Sequence, residues 1–239
     1  MNTTRRKKRT KSEVEEEIFK VALSLIEEKG FLGVTLTGIA KGANVEPSVF
    51  YKRFNTLENF LDEFVKKYDY WFSDIFQSYK GDLYSKEGIR YIFNELFSSL
   101  SSNKVMQQLL RWELADTNET TIRTARLREF HTTPLAERFD EIFKDTPVDI
   151  KAVSSLIIGG VYYLTLHRDL TTFSNIDIND KEGRDRIINA IAYLTDKFFL
   201  DLSPDSEKIN IAKKLKDKGI DAMIISECTQ LPLTTVEDL

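Results

Sequence analysis

Apolar residues recur every three to four positions along most of this chain, and that spacing predicts helices almost throughout. From Val14, the positions Ile18, Val21, Ala22, Leu25 and Ile26 fall on one helical face. Ser12 is the expected N-cap, with Glu15 completing a capping box, and Gly30 ends the helix. A short helix follows, capped by Thr35 or Thr37, with Ile39, Ala40 and Ala43 as its apolar side. Asn44 then turns the chain, since asparagine is among the few non-glycine residues that accept a left-handed backbone. Pro47 opens a third helix, where proline is favoured at the first position. Its expected buried side is Val45, Val49, Phe50 and Phe54, which leaves Ser48, Tyr51, Lys52 and Arg53 outward. Thr56 caps the next helix, which carries Leu57, Phe60, Leu61, Phe64, Val65 and Tyr68. Helices of about two turns are not stable alone in water. Joined by a turn and backed by a longer helix, they make a helix-turn-helix unit.

The same period continues beyond it. Residues 56–79 read as a connecting helix, broken at 81–85. Lys86–Ser102, Lys104–Asp116 and Glu119–His131 follow, and Pro134 is expected to interrupt before Leu135–Phe143. Pro147 is expected to open a helix running to about Leu170, and Asp185–Leu200 closes the series. Gly159 and Gly160 lie inside "SSLIIGGVYYLTL", where each glycine costs about 1 kcal/mol relative to alanine. Close approach of another helix is the usual compensation. Beyond residue 203, Ser206–Lys218 reads as a helix and the apolar run "AMIIS" as a strand. The fold class expected is therefore all-α. A basic disordered arm (1–11) and a helix-turn-helix domain (12–55) come first. A larger helical bundle (56–202) and a helix–strand extension (203–239) follow.

Charge changes this picture. The whole chain carries net charge −4, yet residues 1–55 carry +4 and residues 56–239 carry −8. A basic segment on an acidic body points to a local anionic partner. Apolar residues make up 41% of the chain, enough for a core and too many for a disordered protein. No apolar run reaches the roughly 18 residues of a membrane helix, and no apolar stretch follows the basic N-terminus as in a secretory signal. The lone Cys228 excludes an internal disulfide and suits a reducing cytoplasm. His131 and His167 have no partner at metal-ligand spacing, so neither metal nor cofactor is expected.

The stretch "GFLGVTLTGIAKGANVEPSVFYKRFNTLENFLDEF" (30–64) resembles the DNA-binding domain of TetR-family bacterial regulators. Gly30, Thr35, Ile39, Ala40, Ala43, Val45, Phe50, Tyr51 and Phe54 carry the resemblance in one register. It implies a homodimer in which each subunit places residues 47–54 in a major groove. Lys52 and Arg53 suit guanine O6/N7 or phosphates, and Ser48 and Tyr51 suit phosphate oxygens. Thr35 and Thr37 stand where a helix start favours phosphate, and Lys41 is a further candidate contact. The arm Arg5–Lys11 is expected to follow the backbone or enter the minor groove. Asn44, Glu46 and Leu57 depart from the family's usual glycine, serine and lysine there.

The resemblance also implies a small-molecule effector site and a dimer surface on the last two helices of the body. Phe93, Phe97, Trp112, Phe130, Tyr163 and His167 are candidate ligand contacts, with Glu113 and Arg126 as polar anchors. Ile158, Gly159, Tyr162, Ile187, Ile191, Leu194 and Phe198 are candidates for the dimer interface. The segment "KGIDAMIISECTQLPL" is similar to a cysteine-bearing piece of aspartate/glutamate racemases. Those enzymes need two cysteines and this chain has one, so no catalysis is expected. The expected function is a cytoplasmic, ligand-responsive transcriptional regulator, most simply a repressor, that binds double-stranded operator DNA. The alternative is a small-molecule-binding or enzymatic protein with a vestigial helix-turn-helix.

Overall fold

The computed structural model describes residues 9–68, 71–200 and 204–239. Helix α1 (Lys11–Lys29) starts two residues earlier than the sequence suggests. Thr10 is the N-cap, and with Glu13 it makes the capping box that Ser12 and Glu15 were expected to make. Two correctly spaced pairs compete here, and the earlier one wins. Gly30 ends α1 at φ 72°, a conformation that disfavours any side chain, and a Cβ there would sit 3.0 Å from the Gln108 side chain. A single 3-10 turn (Phe31–Gly33) leads to α2 (Leu36–Ala43). Thr35 rather than Thr37 is its cap, accepting from the Gly38 amide at 3.1 Å. Asn44 is left-handed (φ 51°, ψ 54°), as its side chain allows. Helix α3 (Pro47–Phe54) then begins with no side-chain cap on Glu46. Helix α4 (Leu57–Tyr68) is capped by Thr56, and α5 (Trp71–Ser78) follows.

What binds these helices is aromatic packing. Phe54 meets Phe60 edge-on at 4.8 Å, Phe50 lies 5.0 Å from Phe54, and Phe19 lies 5.1 Å from Phe60. Phe50, Phe60 and Phe64 are fully buried. Side chains from α1, α3 and α4 thus share one core, which offsets the cost of ordering two helices too short to persist alone.

The body has α6 (Lys86–Ser102), α7 (Lys104–Ala115), α8 (Glu119–Phe143), α9 (Ile150–His167) and α10 (Lys181–Leu200). Helix α6 is central and packs on α5, α7, α9 and α10. Three expectations change. Pro134 does not interrupt α8, which runs through it. The proline removes one backbone donor, and the Thr132 and Thr133 hydroxyls bond to the carbonyls of Arg128 and Glu129 in the turn before it. Helix α9 is opened not by Pro147 but by Asp149, which accepts from the Ala152 amide at 2.9 Å. Helix α10 starts at Lys181, a turn before Asp185, with Asp180 accepting from the Gly183 amide at 2.6 Å.

The C-terminal extension is α11 (Pro204–Asp217), α12 (Ala222–Thr229) and α13 (Leu233–Glu237). The expected strand is α12. Asp221 caps it, and the Thr229 hydroxyl bonds back to the Ile225 carbonyl at 2.6 Å. A short apolar run fits either period, and here Ile225 turns inward onto Ala212, Leu231 and Val236 in a small core of its own. Among the described residues there is no strand, only an isolated bridge between Phe173 and Ile176.

Candidate nucleic-acid interface and ligand cavity

On the outer face of α2 and α3, Thr35, Thr37, Lys41, Ser48, Tyr51 and Lys52 are all exposed. Their backbones are held from behind: Ile39, Ala40, Ala43, Phe50 and Phe54 are buried. Arg9, the described part of the expected basic arm, donates to the carbonyls of Ala43 (2.9 Å) and Asn44 (2.5 Å). It therefore props the turn between α2 and α3, while Lys11 already lies in α1. Residues 5–8 of the expected arm lie outside the described residues.

One sequence expectation fails on α3. Val49 was placed on the buried side but is 43% exposed, on the same face as Ser48 and Lys52. On an eight-residue helix, Phe50 and Phe54 define the inner direction and Val49 lies about 100° from Phe50. Arg53 was placed among the DNA contacts. It is exposed, and its guanidinium bonds Glu15 on α1 (2.9 and 3.0 Å) and Glu63 on α4 (2.9 Å). It also lies over the Phe54 ring at 4.7 Å. The hydrogen bond to Glu15 pushes the Arg53 pKa further up, and the same bond holds the Glu15 carboxyl below its usual range. Arg53 clamps α3 to its neighbours. Sequence could not show this, because Glu15 is 38 residues away.

Two side-chain contacts help to join the domain to the body. The Phe31 ring stacks on Trp112 of α7, with centroids 4.7 Å apart and planes 6° from parallel. Asp62 of α4 accepts from Arg123 of α8 (2.6 and 3.0 Å) and from the Thr120 hydroxyl (3.2 Å). Burial pushes the Asp62 carboxyl up, but the bonds from Lys66 and Arg123 outweigh it and hold it below the usual range.

Two adjoining cavities lie along α8 and α9, the first against α6 and the second against α7. One, of about 380 Å³, is lined by Ile89, Ile92, Phe93, Phe139, Ile150 and Ile158 among others. The second, of about 440 Å³, is lined by Leu110, Glu113, Arg128, Tyr162 and Leu166 among others. Glu129, Thr132, Ser155 and Ile158 border both, so the two share a wall. Glu113 is paired with Arg128 and also accepts from the Thr124 hydroxyl at 2.6 Å, all three being largely buried.

The expected ligand contacts divide accordingly. Phe93 and Glu113 line the cavities. Phe97 is fully buried in the core, and Trp112 belongs to the domain junction. Arg126 is exposed, as is Phe130 at 72%, and neither lines these two cavities. Tyr163 and His167 stack at 4.9 Å near the C-terminal end of α9, beside Phe173, and line neither cavity. Sequence reasoning missed the hydroxyls of Thr132, Thr133, Ser154 and Ser155, which sit at the cavity wall. Their clustering opposite one another on α8 and α9 appears only once the helices are packed.

The dimer candidates divide as well. Ile191 and Phe198 are buried within the subunit, with Phe198 edge-on to Phe143 at 6.0 Å, and Ile187 packs against the same core. Ile158 and Tyr162 face the cavities. Gly159 and Leu194 are exposed. Leu156 (78% exposed), Gly160 and Tyr163 on α9 and Tyr193 (61% exposed) on α10 are exposed too. A Cβ added at Gly159 or Gly160 meets nothing within 4 Å, so no close helix approach inside the subunit explains them. Helix α9 is long and apolar enough, by length and composition alone, to cross a membrane. Its packing on α6, α7 and α8 makes it part of the helical body.

Residues 18–64 match the family model described as "Bacterial regulatory proteins, tetR family". Comparison with the curated proteins gives no match. Among solved structures, a TetR-family transcription regulator from Marinobacter aquaeolei VT8 is similar at 17% identity and TM-score 0.53, over 77% of this chain and 95% of that one. The transcriptional regulator FadR from Bacillus subtilis, in complex with stearoyl-CoA, is similar at 16% identity and TM-score 0.54, over 76% and 97%. A TetR-family protein from Vibrio parahaemolyticus is similar at 21% identity and TM-score 0.51, over 76% and 97%. At these identities the likeness speaks for the fold. These structures are covered nearly end to end, while about a quarter of this chain has no counterpart in them.

Proposed function

We propose that this chain, a TetR-family regulator by its DNA-binding domain and its fold, is a homodimeric, ligand-responsive repressor that acts on operator DNA in the cytoplasm. The observation that carries the reading is the outer face of α2 and α3. Thr35, Thr37, Lys41, Ser48, Tyr51 and Lys52 are exposed together on helices whose other side is fixed by a phenylalanine core. Donors on a rigid element suit a major groove, where phosphate contacts position the protein and base-edge contacts specify the site. Arg53 takes the role of a positioning residue, orienting α3 through Glu15 and Glu63. Regulators of this family are generally non-enzymatic, and we assign no catalytic residue.

The exposed apolar faces of α9 and α10 are the proposed subunit contact, through Leu156, Gly159, Gly160, Tyr163, Tyr193 and Leu194. Large apolar side chains exposed to water mark an interaction surface, and the two glycines would admit a partner helix closely. The two cavities are the proposed effector site. That the Bacillus subtilis FadR structure holds stearoyl-CoA supports a ligand-holding body in this fold. Helix α7 links the two functions: Trp112 stacks on Phe31 of the DNA-binding domain, and the adjacent Glu113 faces the cavity. A ligand that prefers one arrangement of α7 and α8 shifts the population of DNA-competent dimers, and only that preference has effect. Moving a dimer from 99:1 to 1:99 needs a preference of about 10⁴.

The test is retention of a duplex from the region upstream of its own coding sequence, in a mobility-shift titration at low salt. Retention against an excess of random duplex supports the regulator. Failure to retain any such duplex, with the protein folded and dimeric, contradicts it.

A further inference from the structure

Val49 is the residue on α3 whose placement has no structural explanation. It is β-branched, which does not favour a helix, and it spends 43% of its surface in water. Nothing in the core needs it: Phe50 and Phe54 supply the buried side of the helix. It lies instead among polar groups, with exposed Ser48 before it and exposed Lys52 one turn on. Its backbone is set, its amide donating to the Glu46 carbonyl at 2.9 Å. The clamp of Arg53 on Glu15 and Glu63 fixes the rotation of α3 about its own axis, and so fixes where Val49 points.

A major groove offers one apolar feature at its floor, the C5 methyl of thymine, and an apolar side chain is the group that reads it. We propose that Val49 is a specificity-determining residue that packs on a thymine methyl in each operator half-site. In this arrangement Lys52, one turn along, takes a neighbouring guanine edge or phosphate. The inference rests on α3 being the reading helix. It goes beyond that reading by naming the residue and the base it selects.

The test removes only the methyl group. A duplex is selected by the full-length protein from a randomised pool and then prepared with deoxyuridine in place of thymidine. Both duplexes are titrated by fluorescence anisotropy against the wild type and Val49→Ala. Loss of one buried methyl contact corresponds to on the order of fourfold in affinity, and so about fifteenfold for a dimer with two half-sites. The wild type should show that loss, concentrated at one symmetric pair of thymines when they are replaced singly. Val49→Ala should bind the thymidine duplex more weakly and distinguish the two duplexes by less than about twofold. An exposed position lets alanine keep the fold, which the unchanged thermal transition of the variant checks. A wild type indifferent to uracil, or a variant that keeps the full discrimination, overturns the assignment of Val49 while leaving α3 as the reading helix. Enrichment of no duplex at all overturns the regulator reading and this inference with it.

Discussion

In the N-terminal helix-turn-helix domain, Phe19, Phe50, Phe54, Phe60 and Phe64 meet ring to ring across three helices. Along α8 and α9, by contrast, apolar side chains stand around two cavities or face water outright. The first region fills its interior and turns polar groups outward. The second leaves apolar surface uncovered inside and out. Close packing transmits strain and resists rearrangement, whereas space between helices can be filled by something else. In the proposed reading, the difference separates a fixed reading head from a body that a ligand and a second subunit would complete.

The comparison breaks most sharply at Phe60. Phe60→Ala empties the centre of the aromatic core and should cost about 3–5 kcal/mol, a large part of a typical domain's stability. Urea unfolding of the variant measures it, and DNA retention should disappear with it. Ile158→Ala, at the shared wall of the cavities, removes contacts already incomplete and should cost less, about 2 kcal/mol, in the same experiment. Equal costs would mean that the body is as tightly filled as the head.

The outer face of α9 comes next. Leu156→Asp places a charge on the proposed subunit contact, and its lone carboxylate has no partner there. Dimer dissociation should rise at least a hundredfold by sedimentation equilibrium, with the helical signal unchanged. A monodisperse dimer at the wild-type concentration range would remove α9 from the interface.

Within the head, Lys52 and Arg53 are adjacent but should behave differently. Lys52→Ala should lower the slope of log affinity against log salt by about one if it meets a phosphate, or relax one base position if it meets a guanine. Arg53→Ala should leave the salt slope unchanged. It should cost about 0.2–1 kcal/mol of stability for each exposed pair it breaks, with a modest, sequence-independent loss of binding. A fall of one in the slope for Arg53→Ala would show that it meets a phosphate as well as Glu15 and Glu63.

The smallest expected effect is on acid stability. Glu15 and Asp62 both have carboxyl pKa values held below their usual range. Their contribution is therefore complete above the unfolded carboxylate values, about 4, and is lost as pH falls through the lower folded values. Thermal stability should decline below about pH 4, and Asp62→Asn should flatten that decline. An unchanged decline in the variant would show that the α4–α8 bridge contributes nothing.

Much of this architecture is legible in the sequence, for identifiable reasons. Helices α6 and α7 fall where the apolar period puts them, and the structure supplies Ser85 and Asn103 as their caps. The left-handed Asn44 and the first-position Pro47 follow from what those residues permit. What escaped was decided at a distance. Arg53 found Glu15 from across the domain. Helix α10 is apolar on more than one face, so nothing local says that Ile191 and Phe198 turn inward while Tyr193 and Leu194 face out. The run Ala222–Ser226 suits either period until Ile225 meets Ala212.

Amide hydrogen exchange of the full chain, with and without its selected duplex, puts the division between head and body to the most direct test. Protection should rise across residues 35–54, strongest in α3, and stay unchanged in α11–α13. Protection confined to α8–α13, with residues 35–54 exchanging as they do in the free protein, would contradict it.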